Sequence, residues 1–243
     1  KYLEFSKEDW TFSMRHCLKL CGMGLPMGLQ YSITAIGSVI LQTAVNDMGS
    51  TYVAAVSAGS KISMFMCCPF DAMGSTMATY GGQNVGAKRL DRVDQGLKAC
   101  IKMGIIYALV ALAFSIVFGK QLALLFVKKE QIELIGYIYE FVVINAAFYI
   151  FLALVNIVRF MIQGLGYSTF AILAGICEMI ARSVAGFVLV PHFGFICVSL
   201  GSPLAWVCAD LFLIPAYLWV IKQLKMKFGG NKISRAKSEA ATI

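Results

Sequence analysis

The sequence predicts an all-α membrane protein built as a bundle of six transmembrane helices. Its 243 residues are 59% hydrophobic and 14% charged, whereas soluble domains are about half apolar and a quarter charged. Six apolar bands follow one another, each long enough to cross a hydrocarbon core that takes roughly 20 helical residues. Because backbone groups in lipid must be bonded internally, bands of this length are helices.

The bands divide the chain into three parts. We place a cytoplasmic or interfacial amphipathic segment at 1–22, a transmembrane lobe at 23–222 and a cytoplasmic polar tail at 223–243. The six spans are predicted at 24–46, 52–79, 99–119, 134–162, 169–190 and 195–221, the fifth closed by Pro191. Residues 6–9 (SKED) have the pattern of a capping box, which opens a helix before the first span. The polar composition after Phe228 predicts disorder.

A polar ridge follows the first span. Gln30, Thr34, Ser38, Gln42 and Asn46 recur every four residues, and each step turns the helix by about 40° beyond a full circle. Polar side chains in lipid face protein or water. Two interpretations stay open: a cavity wall that hydrogen-bonds substrate, with Gln30, Thr34 and Gln42 as candidates, or a set of contacts that join helices.

One face of the second span combines a cation with other polar groups. This face contains Ser57, Lys61, Met64, Cys68, Asp71 and Ser75. Lys61 lies about 15 Å along the helix from its outer end, near the bilayer centre, where an unpaired ammonium costs about 3 kcal/mol. We predict that Lys61 lies on the path of substrate or ion, the alternative being a lysine that snorkels or pairs with another lobe. For Asp71 a structural role is favoured.

Glycines, amides and cations crowd the segment between the second and third spans, ATYGGQNVGAKRLDRV at 78–93. We expect a tight turn leading into an amphipathic helix from Ala87, with a mechanical role between two moving helices. The motif residues of this loop are Gly81, Gln83, Gly86 and Arg89. A phosphate-binding loop needs GxxxxGK[ST] after a strand, and here a membrane helix precedes the loop while Arg89 replaces the hydroxyl.

The fourth span also carries a polar face. Asn145, Tyr149 and Asn156 share helical spacing, and we predict that they line the path of substrate or ion. Arg159, nearer the cytoplasmic end, is expected to stabilise the topology.

Charged residues in the last two spans are candidates for structure or coupling. Glu178 and Arg182 stand one turn apart in the order that favours an ion pair. A buried pair is usually structural, because removing one partner leaves an uncompensated charge. Asp210 lies among apolar residues of the sixth span with no evident partner.

The placement of charge predicts orientation and excludes several classes of site. If the N-terminus is cytoplasmic, most Lys and Arg share that side, and the other side holds mainly Lys120, Lys128 and Lys129. Basic residues accumulate on the cytoplasmic side, so both termini are predicted there. The net charge of +8 lies at the ends of apolar bands, which indicates a lipid bilayer rather than nucleic acid as partner. No CxxC pair or Cys/His spacing predicts a metal site.

The order of several motifs resembles the MATE (multidrug and toxin extrusion) family. These motifs are GLPMGLQ at 24–30, SAGSKI at 57–62, the loop at 78–93, QGLGYS at 163–168 and PLAW at 203–206. The resemblance implies a twelve-helix transporter with two six-helix lobes, related by a pseudo-two-fold axis along the membrane normal. The chain, which begins with Lys, is then expected to be the C-terminal lobe in the plasma (inner) membrane, with the N-terminal lobe missing.

Coupling is left open by the resemblance. Some branches of the family carry coupling acids in the seventh and tenth spans, and the nearest positions here are Thr34 and Leu152, which do not ionise. In other members the acid belongs to the first span, in the absent lobe. The coupling ion is therefore expected to be Na⁺ or H⁺, with no other cofactor.

The resulting expectation is antiport efflux of small drug-like organic cations by alternating access, without enzymatic activity. The alternative is a flippase or exporter of a lipid-linked or polysaccharide substrate, which needs a cationic central cavity; the deep cations are Lys61, Arg159 and Arg182. A membrane-embedded enzyme, a more distant alternative, needs a nucleophile, base or metal constellation, and no such pattern occurs in the bands. The sign of the cavity's charge distinguishes the two transporters.

Overall fold

Helices form almost all of the described structure. A computed structural model describes residues 12–240, and for residues 19, 23 and 229–240 it describes the backbone alone. The helices are α1 (Met14–Met48), α2 (Ser50–Gly86), α3 (Leu90–Ala123), α4 (Ile132–Ala147), α5 (Tyr149–Gly164), α6 (Thr169–Val184), α7 (Val190–Phe193) and α8 (Phe195–Ala240). A π-helical turn, Ala185–Leu189, joins α6 to α7.

The number of spans agrees with the sequence. In the described part of the chain five helical segments are long and apolar enough to cross a membrane, and α4 with α5 makes a sixth if the bent pair is one span. The predicted all-α membrane bundle is thus confirmed.

The fourth span is bent, although the sequence predicts one helix over 134–162. The axes of α4 and α5 differ by 52°. The Asn145 side chain donates to the carbonyl oxygens of Phe141 (2.8 Å) and of Ser199 on α8 (3.3 Å). The Phe148 N–H then bonds to the Asn145 carbonyl, three residues back. A side chain that enters the backbone ladder is a known cause of helix bending.

Pro191 does not close the fifth span, contrary to the prediction. It lies in the first turn of α7, where its missing N–H removes one backbone bond. The π-helical turn Ala185–Leu189 joins α6 directly to α7, so the helical segment continues past Pro191. The helix ends instead at Gly194, whose φ of 67° is in the left-handed region.

Both ends of the lobe extend beyond the predicted spans. α1 begins at Met14 and runs unbroken through the predicted junction at residues 22 and 23, while the predicted capping box lies outside the described residues. α8 continues to Ala240, so the expected disorder of the tail is wrong for 229–240, and residues 241–243 lie outside the described residues. Hydropathy marks only the lipid-buried part of a helix, which continues beyond the hydrocarbon core.

The glycine-rich loop is mostly helix. α2 runs to Gly86, so Gly81, Gln83 and Gly86 are helical, and the turn is confined to 87–89. Lys88 takes the positive φ of 58°, and Arg89 forms an exposed ion pair with Asp91 at 3.0 Å. α3 begins at Leu90 rather than at the expected Ala87. Gly81 faces α5 from within the helix. A Cβ at this position would lie 2.7 Å from the Met161 sulfur, so glycine allows the close contact between α2 and α5.

α1 and α2 differ in how many neighbouring helices pack against them. α2 packs against α3, α4 and α5, whereas α1 rests mainly on α6, which packs in turn on α8. The larger of two cores surrounds Tyr149, Met161 and Leu213, and the smaller surrounds Ile138 and Val142. One side of α2 therefore points away from the lobe.

Candidate functional site

The polar face predicted on the second span is exposed along its whole length. We call it the α2 polar face: Ser57, Lys61, Met64, Cys68, Asp71 and Ser75, all of which are exposed. The exposed side of α3 differs, because it presents a row of large apolar residues that includes Ile106, Val110 and Val117. A row of this composition suits lipid, whereas polar side chains face protein or water.

Lys61 lies at the centre of this face with its charge uncompensated. It is exposed and forms no ion pair with any residue that the structure describes. Its position eleven residues into α2 corresponds to about 16 Å of helix. The ammonium is therefore available to a molecule that approaches the face.

Asp71 is held by the lobe. Its carboxylate accepts a hydrogen bond from the Asn156 side chain of α5 at 3.1 Å. Asn156 is 8% exposed, so its amide serves the α2–α5 contact. The sequence placed Asn156 on the substrate or ion path without indicating this bond.

A cavity of ≈ 380 Å³ opens between α1, α2 and α5, beside the end of the α2 polar face that carries Ser75. We call it the α1–α5 cavity. Met27, Ser75, Phe160 and Gln163 contribute to its lining. The Gln163 amide donates to the Gln30 side-chain oxygen at 2.6 Å, so this wall is cross-linked by a bond between α1 and α5.

The ridge on α1 divides into a buried and an exposed part. Gln30 is 2% exposed and joins helices through Gln163. Thr34 is half-buried, and its hydroxyl has no hydrogen-bond partner among the described residues. Gln42 donates to Asn46 of the same helix at 3.1 Å. The interpretation as a contact between helices is therefore met at Gln30, whereas a role of Thr34 and Gln42 in binding substrate stays a prediction.

Two candidates from the fourth span lie inside the lobe. Tyr149 is 0% exposed, with its ring centroid 5.7 Å from that of Phe70 and 6.2 Å from that of Trp206. Asn145 bonds the backbone at the bend. The prediction that these residues line a path is wrong for this conformation, because the break between α4 and α5 interrupts the regular helical phase on which it depended.

Four charged residues from three helices form a buried charge cluster. It consists of Arg159 on α5, Glu178 and Arg182 on α6, and Asp210 on α8, each no more than 5% exposed. Glu178 accepts from Arg182 at 3.2 Å, the contact that the spacing predicts, and its other oxygen accepts from Arg159. Asp210 is on α8, which packs against both α5 and α6, and its carboxylate has no hydrogen-bond partner among the described residues.

The sequence did not reveal the contact between Arg159 and Glu178. Arg159, which was expected to stabilise the topology near the cytoplasmic end, is instead buried against Glu178. A short turn joins α5 to α6, which makes them antiparallel neighbours. Charged residues within membrane spans usually pair with one another. The presence of Arg159 and Glu178 on neighbouring spans was therefore the signal that could have predicted their contact.

Comparison with known proteins decides the family. The sequence model of MatE matches residues 26–188, more than half of the chain. The chain belongs to the MatE family. Among curated proteins, this MatE chain is 22% identical over 131 residues to the probable multidrug resistance protein YoeA of Bacillus subtilis (strain 168), an alignment that covers 54% of this chain and 27% of YoeA.

Solved structures agree on the fold. An outward-facing multidrug resistance MATE family transporter of the MOP superfamily matches with a TM-score of 0.83 and 20% identity over 93% of this chain and 51% of that one. A MOP superfamily transporter from Pyrococcus furiosus Vc1 (DSM3638), described as having reverse polarity of its binding pocket, matches with a TM-score of 0.78 and 20% identity over 92% of this chain and 51% of that one.

This MatE chain has the fold of one lobe of a MATE transporter. It spans about half the length of the solved structures it matches. Its family, its fold and its membrane-spanning helices indicate a multi-pass membrane protein.

Proposed function

We propose that this chain is the C-terminal lobe of a secondary active transporter, which exports drug-like organic cations by antiport with Na⁺ or H⁺. The observation that supports this most is the α2 polar face, an exposed polar surface at membrane depth on a lobe whose α3 is apolar outside. Such a surface is stable in a membrane only against water or further protein. A second lobe opposite α1 and α2 supplies both, with a cavity between the two.

Alternating access follows from this arrangement. When two lobes rock about a site at their interface, the site opens first to one side of the membrane and then to the other. The bend between α4 and α5 lies beside α8, and the α1–α5 cavity lies at one end of the α2 polar face. We assign both termini to the cytoplasmic side of the plasma (inner) membrane, since basic residues dominate that side of the chain.

A flippase for a lipid-linked phosphate is less well supported. It needs several cations that converge on the cavity, and the sequence offered Lys61, Arg159 and Arg182. The two arginines are buried and bound to Glu178, so Lys61 is the remaining cation of this set on the exposed face. One ammonium and the carboxylate of Asp71, which lies about 15 Å further along the same helix, make a mixed surface rather than a strongly cationic one.

Dye efflux from cells tests the proposed function. Cells that lack their own efflux pumps are made to express the complete gene product, and ethidium retention is followed with a Na⁺ gradient, a proton gradient or neither. We expect retention to fall when one gradient is present and to recover when that gradient is collapsed. Unchanged retention across a broad panel of organic cations contradicts the proposal, provided that the protein is present in the membrane.

A further inference from the structure

Asp210 stands out as a buried acid without a hydrogen bond. Its side chain is on α8, 4% exposed, and both carboxylate oxygens lack a partner among the described residues. An ionised carboxylate in such a place is strongly disfavoured unless it is paired, so the group either takes up a proton or acquires a donor.

The two guanidinium groups of the buried charge cluster are both bound to Glu178. Arg159 and Arg182 each give one terminal nitrogen to Glu178, while the Nε–H groups of both arginines have no partner among the described residues. With two cations and two acids, the buried charge cluster is neutral when Asp210 is ionised and carries one positive charge when Asp210 is protonated.

The other helices that pack on α8 add little charge near Asp210. α4 meets α8 at Ser199, eleven residues before Asp210, and its acids Glu133 and Glu140 lie further towards the outer end. The π-helical turn AGFVL contains no titratable side chain, and α7 contributes only the exposed His192. Two turns beyond Asp210, Tyr217 donates to Asp94 of α3, which also pairs with Lys225.

We propose that Asp210 is a proton-binding site of this lobe and that the proton is the ion exchanged for substrate. The inference rests on the proposed function and specifies its coupling ion. The arrangement in the structure, with both arginines on Glu178 and none on Asp210, is that of the protonated acid. When the proton leaves to water, the carboxylate attracts an N–H of Arg159 or Arg182, and the contact between α8 and the α5–α6 pair changes.

A proton fits this site better than Na⁺. Hard cations take several oxygen ligands, and the two oxygens of Glu178 are occupied by guanidinium groups. A metal cation at Asp210 would lie beside two fixed positive charges. A proton converts the carboxylate to a neutral acid and needs no other ligand.

Proton release on substrate binding is the test. The full-length protein is purified in detergent, ethidium is added in weakly buffered solution, and the released protons are counted with a pH indicator. We expect Asp210→Asn to bind ethidium, with an affinity that no longer varies with pH, and to release about one proton fewer than the unmodified protein. Glu133→Gln, which removes an exposed acid at the start of α4, is the control and should release as many protons as the unmodified protein.

The outcomes separate this inference from the proposed function. Equal proton release by Asp210→Asn and the unmodified protein overturns the site. Ethidium export that is driven by a Na⁺ gradient, with no proton release by the unmodified protein, overturns the proton but leaves efflux standing. If Asp210→Asn fails to reach the membrane, Asp210→Glu is measured instead, because it keeps a titratable group. The pH dependence of its proton release should shift relative to that of the unmodified protein. An unshifted pH dependence again contradicts the assignment.

Discussion

At the scale of single residues, charge inside the lobe is organised around the Glu178 carboxylate. Each of its oxygens meets one guanidinium, and all three side chains are buried. Removing one partner from a buried set leaves charge without compensation, a loss of about 3–5 kcal/mol. The cluster therefore holds α5 and α6 together, apart from any part it has in coupling.

Glu178→Gln should consequently destabilise the lobe. The substitution preserves shape but leaves two arginines against a neutral amide, so we expect a free energy of unfolding lower by about 3–5 kcal/mol. The readout is the apparent melting temperature of the detergent-purified protein. Glu133→Gln, at an exposed position, serves as the matched control. Equal melting temperatures for the two variants would show that Glu178 does not stabilise the lobe by this amount.

Lys61 tests the α2 polar face itself. Lys61→Met removes the charge while keeping much of the length, and we expect about tenfold slower dye efflux, equivalent to about 1.4 kcal/mol, with unchanged amounts in the membrane. Lys61→Arg keeps the charge and should retain more activity. Met64→Leu, an apolar change on the same exposed face, controls for shape. If Lys61→Met lowers the amount of protein in the membrane and the efflux rate by the same factor, the role of Lys61 is structural and the prediction is wrong.

At the scale of helices, glycines set how closely α2 approaches α5. A Cβ on Gly164 would overlap the Ala78 carbonyl group, whose backbone has no freedom to move aside, whereas a Cβ on Gly86 would meet nothing within 4 Å. The two glycines belong to the motifs QGLGYS at 163–168 and GGQNVG at 81–86. Their packing environments, however, are opposite.

Gly164→Ala should therefore be costly and Gly86→Ala should not. Overpacking costs about 1–3 kcal/mol, so we expect a lower melting temperature for Gly164→Ala. Gly86→Ala gains helix propensity of up to about 1 kcal/mol and should match or exceed the unmodified protein. Similar melting temperatures in the two variants would contradict the close α2–α5 contact.

What the sequence could predict follows from the range of the interactions involved. Apolar bands and the Glu178–Arg182 spacing are local, so the spans and the ion pair were accessible. The bend at Phe148 arises without proline, from an Asn145 side chain whose partner lies on α8. The Arg159–Glu178 and Asn156–Asp71 contacts depend on the register between helices, which hydrophobic periodicity does not specify.

At the scale of the whole molecule, the asymmetry of the surface defines three environments. The apolar row on α3 suits lipid, the α2 polar face suits an interface between lobes, and the turn at 87–89 with Arg89 and Lys88 suits water. Ends of α helices that project past the hydrocarbon core carry the basic residues. The direction of the chain through the membrane follows from which side these ends occupy.

Single cysteine labelling gives that direction. Arg89 lies in the α2–α3 turn and Lys129 in the α3–α4 connection, and both side chains are exposed, so failure to react cannot arise from burial within the lobe. The eight native cysteines set the background, which the unmodified protein measures. With a membrane-impermeant maleimide on intact cells, we expect Lys129→Cys to react and Arg89→Cys to react only after permeabilisation, because basic clusters remain in the cytoplasm. The reverse pattern would place both termini outside and would invert the direction of transport that we propose.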